Sequence, residues 1–449
     1  MYSLGIDIGT SGIRAIVMDG HHKIISQASD DLPKSKLLSN KKQSVIGYSQ
    51  KPHNWWISFE KVIFEIKESI LRQNIKLEQI THLAIDGTSG TVLLADQSGL
   101  PVSDALMYND QRALVQAGQI KSAAPADTAA IGATSGLAKI LFLHQQWLNS
   151  GNSQNPVTYA LNQADWLSGK LMGKYGISDH NNALKMGYDA QKHCWPDWLL
   201  KLLKKNHFAP SFLPRVVLPG QITGTISSEM SHHFGFNPQL NICAGTTDST
   251  AAIIASGAAE VGQAVTSLGS TLVMKVISEY PVFDQQSGVY SQPYGKLWLV
   301  GGASNSGGEV LKKYFNDDQL VQMTKSLDLK VAQGNFSLLD LNYYPLSAPG
   351  ERFPVQDPFL TAKVSPRPSA DLDFFQALLE GMADIETLAY KKLVDLGAPY
   401  PKRIRSIGGG AVNESWRYIR EQKLGVSVVL ADEQQAAAGA AILAQTSWQ

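Results

Sequence analysis

The chain has 449 residues, of which 44% are hydrophobic and 17% charged, which suggests two large domains at roughly 100–200 residues each, with substantial cores and no long disordered stretch. Lys plus Arg and Asp plus Glu number 39 each, so no global field recruits nucleic acid or an anionic membrane, and recognition must be local. Cys194 and Cys243 match neither a metal-ligand spacing nor a disulfide framework and read as packing residues of a reducing cytoplasm; no run nears the roughly 18 apolar residues of a membrane span, and no signal-like stretch precedes the first strand.

From Leu4 apolar residues alternate, pause at Gly9 to Gly12 and resume at Ile13, which predicts a β-hairpin, and DGHHKI (19–24) predicts the turn into a third strand. Residues 53–71 place Trp56, Phe59, Val62, Ile63, Ile66 and Ile70 at helical spacing, with the pair Trp55-Trp56 read as packing plus one partly exposed ring. A strand is predicted at 82–85. There IDGTSGTVLLAD (85–96) rewrites IDIGTSGIRAIVMD (6–19): strand, aspartate, Gly-Thr-Ser-Gly turn, strand. Helices are predicted near 140–148 and 160–172, separated by a turn-rich segment at 176–187 from a strand near 240 that breaks at Gly245 and becomes a small-residue helix. The domain boundary is read here, giving 1–253 and 254–449. Residues 260–276 again read as strand, Gly-Ser-Thr turn, strand, so the chain looks like two halves of one plan. There follow a glycine-rich approach to a helix at 301–314, a Pro-rich packed surface loop at 345–368, a long helix at 370–397, a strand at 403–407, three glycines, and a helix from about Asn413.

Aspartate is depleted from strand interiors, yet Asp7 sits in one. The Gly9, Thr10 and Ser11 that follow offer N–H and hydroxyl groups to an anion, while the carboxylate can hold a hydrated Mg²⁺ beside it, as a nucleoside triphosphate requires. Alone, the turn reads equally as an ordinary hairpin capped by Asp7. Gly269, Ser270 and Thr271 open the second half at the equivalent place. In SIGGGAVNESW (406–416), three glycines between strand and helix let a ligand approach the backbone and meet the helix N-terminus. This is not G-x-G-x-x-G, and no G-x-x-x-x-G-K-[ST] occurs, so dinucleotide-fold and P-loop readings lose their main support. Asp248 stands where strand gives way to helix. A carboxylate there can accept the proton of a hydroxyl attacking a γ-phosphoryl group, or cap the helix, and the two roles can coexist.

Taken in order, Asp-x-Gly-Thr-Ser (7–11), MYNDQRA (107–113), GTTDSTAA (245–252), TSLGSTL (266–272), GERFP (350–354) and GGGAVNESW (408–416) resemble the FGGY carbohydrate kinases, of the actin, hexokinase and heat-shock chaperone ATPase superfamily, over essentially the whole chain. The resemblance implies an α/β fold of two ribonuclease-H-like domains around a deep cleft, ATP with Mg²⁺, and phosphorylation of a sugar or polyol hydroxyl. It puts Asp7 at the metal, Gly9, Thr10 and Ser11 in a first phosphate hairpin, and Gly269, Ser270 and Thr271 in a second. Gly409, Gly410 and Asn413 would line the adenosine end, and Asp248 would be the base facing the sugar. Tyr108 and Asp110 match the family's Trp-x-Asp segment near the sugar, with tyrosine replacing tryptophan. Thr88 and Ser89 fall where bacterial xylulose kinases resemble one another in a Gly-Gln-Met-His-Gly loop that touches the sugar; the departure resembles xylulose-kinase-like proteins of plants and cyanobacteria and related ribulose kinases. It implies a pentulose, D-ribulose ahead of D-xylulose, with other polyols in reserve; the plain alternative is that Thr88 and Ser89 stabilise a tight turn. Lys139, Asp165, Asp179 and Arg352 read as structural ion-pair partners. A nucleotide-dependent switch is the rival from another class. No nucleic-acid or membrane partner is expected, and the oligomeric state stays open, a homodimer among the options.

Overall fold

The alternation that begins at Leu4 folds as an antiparallel meander of β1 (Tyr2–Ile8), β2 (Gly12–Asp19) and β3 (Ile24–Asp31) in the computed structural model, which describes residues 1–40, 45–125, 127–151, 156–284 and 286–446. Strands β4 (Lys36–Asn40) and β5 (Val45–Gln50) come next. The helical spacing then forms α1 (Pro52–Leu71), whose Phe59, Val62, Ile63, Ile66 and Ile70 join Leu4, Ile6 and Ile13 in one core. Each such side chain taken fully from water contributes roughly 1.5–3 kcal/mol. Both tryptophans are buried, Trp55 donating to Gln50 Oε1 at 2.9 Å and Trp56 stacked on Phe59, so neither ring of the pair is left partly exposed.

α1 leads to β6 (Ile80–Gly87), parallel to β1. Here the two similar sequence segments part. β1 and β2 form a hairpin, whereas β7 (Val92–Ala95) leaves the sheet and pairs with β8 (Ala105–Leu106) and β9 (Tyr159–Asn162), in a second sheet ordered β4–β5–β8–β7–β9. Helices α2 (Leu114–Ala123) and α3 (Gly136–Asn149) follow β8, and a core of its own collects Val92 and Leu94 with Ile120, Ile140 and Leu141. The helix expected from 160 starts later, as α4 (Gln163–Met172), because Asp165 accepts the Asn162 N–H at 3.3 Å and caps it there. The turn-rich segment holds β10 (Ile177–Asp179) and α5 (His180–Leu184), started by Asp179, which accepts the N–H groups of Asn181 and Asn182 at 2.8 and 3.1 Å. After α6 (Asp197–Lys205), β11 (Arg215–Val217), β12 (Ile222–Thr225) and α7 (Ser228–Phe234), β13 (Asn241–Cys243) lies parallel to β6 and runs on into α8 (Asp248–Ala255). The first sheet is thus ordered β12–β13–β6–β1–β2–β3.

The second half restarts with the hairpin β14 (Gln263–Leu268) and β15 (Leu272–Ser278), then β16 (Tyr290–Tyr294), β17 (Leu297–Ser304), α9 (Gly308–Lys312), α10 (Asp317–Ala332), α11 (Asp371–Asp395), β18 (Arg403–Ile407), α12 (Glu414–Leu424) and β19 (Ser427–Leu430). β17–β15–β14–β18–β19 repeats β3–β2–β1–β6–β13, two antiparallel pairings followed by two parallel ones. The two-halves reading therefore holds at the level of strand order. The Pro-rich loop is packed, with Leu346 and Phe353 buried. Arg420 on α12 and Glu386 on α11 form a buried pair at 2.6 Å, joined by Ser406 of β18 and Thr266 of β14.

Two units result, Met1–Ala255 with Gln435–Gln449, and Ser256–Gln434. The sequence reading carried the second domain through to 449. Instead α13 (Ala436–Gln445) packs in the first unit, because its small residues let it lie against α8: a Cβ on Gly439 would stand 1.8 Å from the Ala251 carbonyl oxygen. Cys243 is buried with Ala440 and Ala444, and burial pushes its thiol up to about 12; Cys194 is exposed and does not pack. Among the described residues, no helix is long and apolar enough to cross a membrane.

Candidate active site

Parallel neighbours bring their carboxyl ends to one edge, where open α/β sheets bind ligands. At that edge Asp7 of β1 and Asp86 of β6 are direct partners in register, and Gly87 bridges Thr247, the residue before Asp248. Asp7 is buried, with Arg14 Nη1 3.5 Å from its Oδ2. Burial raises its carboxyl above the usual range, against the opposing pull of Asp86 and Arg14. Asp86 is 0% exposed, with no N–H or hydroxyl donor on either oxygen and the Asp7 carboxyl as its side-chain hydrogen-bond partner. Burial first, then the charges of Asp7 and Asp248, hold it well above an ordinary carboxyl. Asp248 is the half-buried first residue of α8, its Oδ1 accepting the Ser249 N–H at 2.7 Å.

The turn after Asp7 is pinned on both sides. Gly9 N–H meets the Gly12 carbonyl at 2.9 Å, the Thr10 carbonyl accepts from Gln50 Nε2 at 2.8 Å, and the Ser11 carbonyl accepts from Leu32 N–H at 2.8 Å. Among the described residues no group of three His, Cys, Asp or Glu could hold a metal by itself. Mg²⁺ commonly takes one or two carboxylates and completes its shell with water and substrate phosphate, and the donor-poor pair Asp7 and Asp86 fits that habit.

In the loop after Asp86, Thr88 Oγ1 is committed to Thr91 Oγ1 at 2.7 Å and Gln163 Oε1 at 2.6 Å. Ser89 Oγ, by contrast, is buried with no partner. Tyr108 is 47% exposed, its ring available to a ligand. Asp110 is wholly buried: Arg112 Nη2 lies 2.8 Å from it, and the Tyr48 N–H donates at 2.7 Å. Its carboxylate thus braces the 107–113 segment that presents Tyr108. Lys139 braces it too, donating from a fully buried Nζ to the Met107 carbonyl at 2.8 Å; burial, and then Lys185, lower its ammonium to about 7. Among the described residues Lys139, Asp165, Asp179 and Arg352 form no ion pair. Asp165 and Asp179 serve as helix caps instead, which asks a short acceptor of the site and no cation.

In the second unit, the β14–β15 turn, α9, α10 and the start of α12 enclose a cavity of about 530 Å³. Gly269, Ser270, Gly409, Gly410 and Asn413 all line it; Thr271 lies beyond it, its carbonyl accepting the Gly269 N–H at 3.3 Å. Leu311, Phe375 and Val412 supply apolar wall. Gly410 has no substitute here, since a Cβ would meet the Trp416 ring at 2.5 Å. Asn413 caps α12, accepting the Trp416 N–H at 2.8 Å. The strand ends that carry Asp7 and Asp86 in the first unit carry Ser267 and Ile407 here, also partners in register. One frame thus presents carboxylates in one copy and glycine-rich backbone in the other.

Several contributors escaped the sequence reading. Asp86 ends an apolar strand as Asp7 does, so the signal that singles out Asp7 singles it out equally. Helix α10 supplies Leu320, Val321, Thr324 and Lys325 to the cavity; Leu320, Met323 and Leu327 at helical spacing behind Asn316-x-x-Gln319 would have found it. Glu351, within GERFP, is buried and accepts from Ser304 Oγ at 2.6 Å and Asn305 N–H at 2.7 Å, fixing the turn between β17 and α9.

Comparison with known proteins agrees with this geometry. Residues 2–255 match the FGGY family of carbohydrate kinases, N-terminal domain, and residues 264–448 its C-terminal domain. A xylulose kinase of Staphylococcus xylosus is 21% identical, over 99% of this chain and 90% of its own; one from Haemophilus influenzae is 24% identical, over 99% and 90%. Among solved structures, a Brucella ovis xyloylose kinase superposes with a TM-score of 0.84 at 21% identity, covering 99% of this chain and 90% of that one. Plasmodium falciparum glycerol kinase with ADP superposes at 0.81 and 17% identity, covering 98% and 88%.

Proposed function

The chain belongs to the FGGY family of carbohydrate kinases, and from that premise we propose that it transfers the γ-phosphoryl group of ATP to a terminal hydroxyl of a five-carbon ketose, D-ribulose ahead of D-xylulose. The observation that carries the sugar assignment is Ser89 Oγ, buried without a partner in the loop that follows Asp86, which a sugar hydroxyl would satisfy. Small side chains stand there, where the resemblance puts the Met and His of the bacterial xylulose kinase loop, and that departure favours D-ribulose. The relatives named xylulose kinase support a pentulose in general and weigh as much for D-xylulose. A nucleotide-dependent switch has no use for a base aimed at a small alcohol.

Asp248 acts as the base. As the terminal oxygen forms its bond to the γ-phosphorus and the bond to the ADP oxygen breaks, the hydroxyl proton passes to the Asp248 carboxylate. The Ser249 N–H holds Oδ1 of that carboxylate in place. Tyr108 supports the sugar's apolar face, and the 107–113 segment is held still by Asp110 and Lys139. Gly269, Ser270, Gly409, Gly410 and Asn413 take the nucleotide, with the α12 N-terminus turned to negative charge; Gly9, Thr10, Ser11 and Thr271 contribute backbone and hydroxyl donors to the phosphates. Asp7 is the residue set to hold Mg²⁺, which when bound neutralises phosphate charge.

The test is ADP production from Mg²⁺-ATP with D-ribulose, D-xylulose, L-ribulose, L-xylulose, ribitol, gluconate and glycerol. One pentulose should stimulate turnover far above the sugar-free rate, and Asp248→Ala should abolish that stimulation while ADP still binds. Stimulation by gluconate or glycerol alone would refute the pentulose assignment.

A further inference from the structure

The sequence writes Asp-x-Gly-Thr-Ser-Gly at 7–12 and Asp-Gly-Thr-Ser-Gly at 86–90, and the fold sets their two aspartates side by side on parallel strands. Only one of the two carboxyls is compensated by a cation, Asp7 by Arg14. Asp86 is completely buried, no N–H or hydroxyl reaches its oxygens, and what it meets is the second carboxyl, that of Asp7. Two abutting buried carboxyls cannot both ionise without a counter-charge, so one proton or one cation has to lie between them. A sugar hydroxyl could donate to one oxygen and would leave the repulsion in place. A divalent cation offsets both charges at once, and Mg²⁺ characteristically takes such a pair and fills its remaining positions with water and phosphate.

We propose that Asp86, together with Asp7, holds the divalent cation of the nucleotide, so that the repeated motif builds a two-carboxylate metal site at the ends of β1 and β6. The proposal rests on the kinase reading above. It also accounts for the burial of Asp86 directly beside a second carboxyl.

The test uses the full chain with ADP and Mn²⁺ as the probe, free Mn²⁺ being read by electron paramagnetic resonance. Asp86→Asn should weaken Mn²⁺ binding by about tenfold or more, leave metal-free ADP binding unchanged, and raise or preserve the melting temperature of the unliganded protein while reducing the further rise that Mg²⁺ and ADP give. Asp86→Ser gives the same readings should the amide misfit. If the variants fold and bind Mn²⁺ as the wild type does, the assignment fails, and a raised KM for sugar in them would move Asp86 to the sugar. A wild-type chain that binds ADP but no Mn²⁺ also overturns it, with the kinase reading intact; a chain that binds no ADP overturns both.

Discussion

Ser89 and Thr88 are adjacent and similar, Thr88 buried and Ser89 half-buried with its hydroxyl oxygen shielded, yet the fold uses them differently. Thr88 Oγ1 closes a chain between Thr91 and Gln163, so Thr88→Val should leave two buried groups short of a partner and cost about 1–3 kcal/mol of stability. Ser89 Oγ meets nothing in the protein. Ser89→Ala should therefore leave the melting temperature unchanged and raise the KM for the sugar about two- to tenfold, the range of one hydrogen bond worth roughly 0.5–1.5 kcal/mol, with kcat little altered. Urea denaturation together with initial-rate kinetics on both variants separates the roles. If Ser89→Ala lost stability and kept its KM, the loop would be a turn and nothing more.

At the scale of elements, the parts legible in the sequence were those whose period repeats locally: the β1–β2 hairpin, α1, α11, the β14–β15 hairpin and the strand-to-helix switch at Asp248. What was not legible depended on partners far along the chain. Nothing local to Val92–Ala95 says that it leaves the first sheet for a second one, and nothing near Asp110 says that the Tyr48 N–H, 62 residues away, shares its carboxylate with the neighbouring Arg112. Buried caps belong to this class. Burial, with Asp179 next, raises Asp165 to about 7, and Asp179 is itself raised to about 6. Between the unfolded value near 4 and pH 7 the folded chain keeps the Asp165 proton that the unfolded chain has lost. Folding therefore takes up a proton, and this contribution to stability is present at low pH and fades as pH rises through the window. Asp165→Asn cannot titrate and can still accept from Asn162, so it should gain on the wild type between pH 5 and 8 by on the order of a few kcal/mol. Parallel denaturation curves at the two pH values check this, a pH-independent difference between the proteins being the contrary result.

At the scale of the whole molecule, one strand plan is used twice with different residues at its strand ends, and the chain's last helix returns to the unit that holds its first strand. The return depends on the absence of side chains. Beyond Gly439, Ala437, Ala438, Ala440 and Ala441 are buried, and Ala437, Ala438 and Ala441 pack against Ile16 and Met18 of β2. Intrinsic preference would make Gly439→Ala stabilising by up to about 1 kcal/mol, since alanine is the better helix former. Packing opposes this, because the new Cβ would stand 1.8 Å from the Ala251 carbonyl oxygen, and α13 must move off α8 at a cost of about 1–3 kcal/mol or more. Packing should win, lowering the melting temperature by several degrees. Gly118→Ala supplies the control: it too lies within a helix, α2, but a Cβ there meets nothing within 4 Å, so helix propensity acts alone and the melting temperature should rise. Opposite signs for the same substitution would tie the closure of the first unit to the α8–α13 approach, whereas a gain in both would mean that α13 can be displaced without loss.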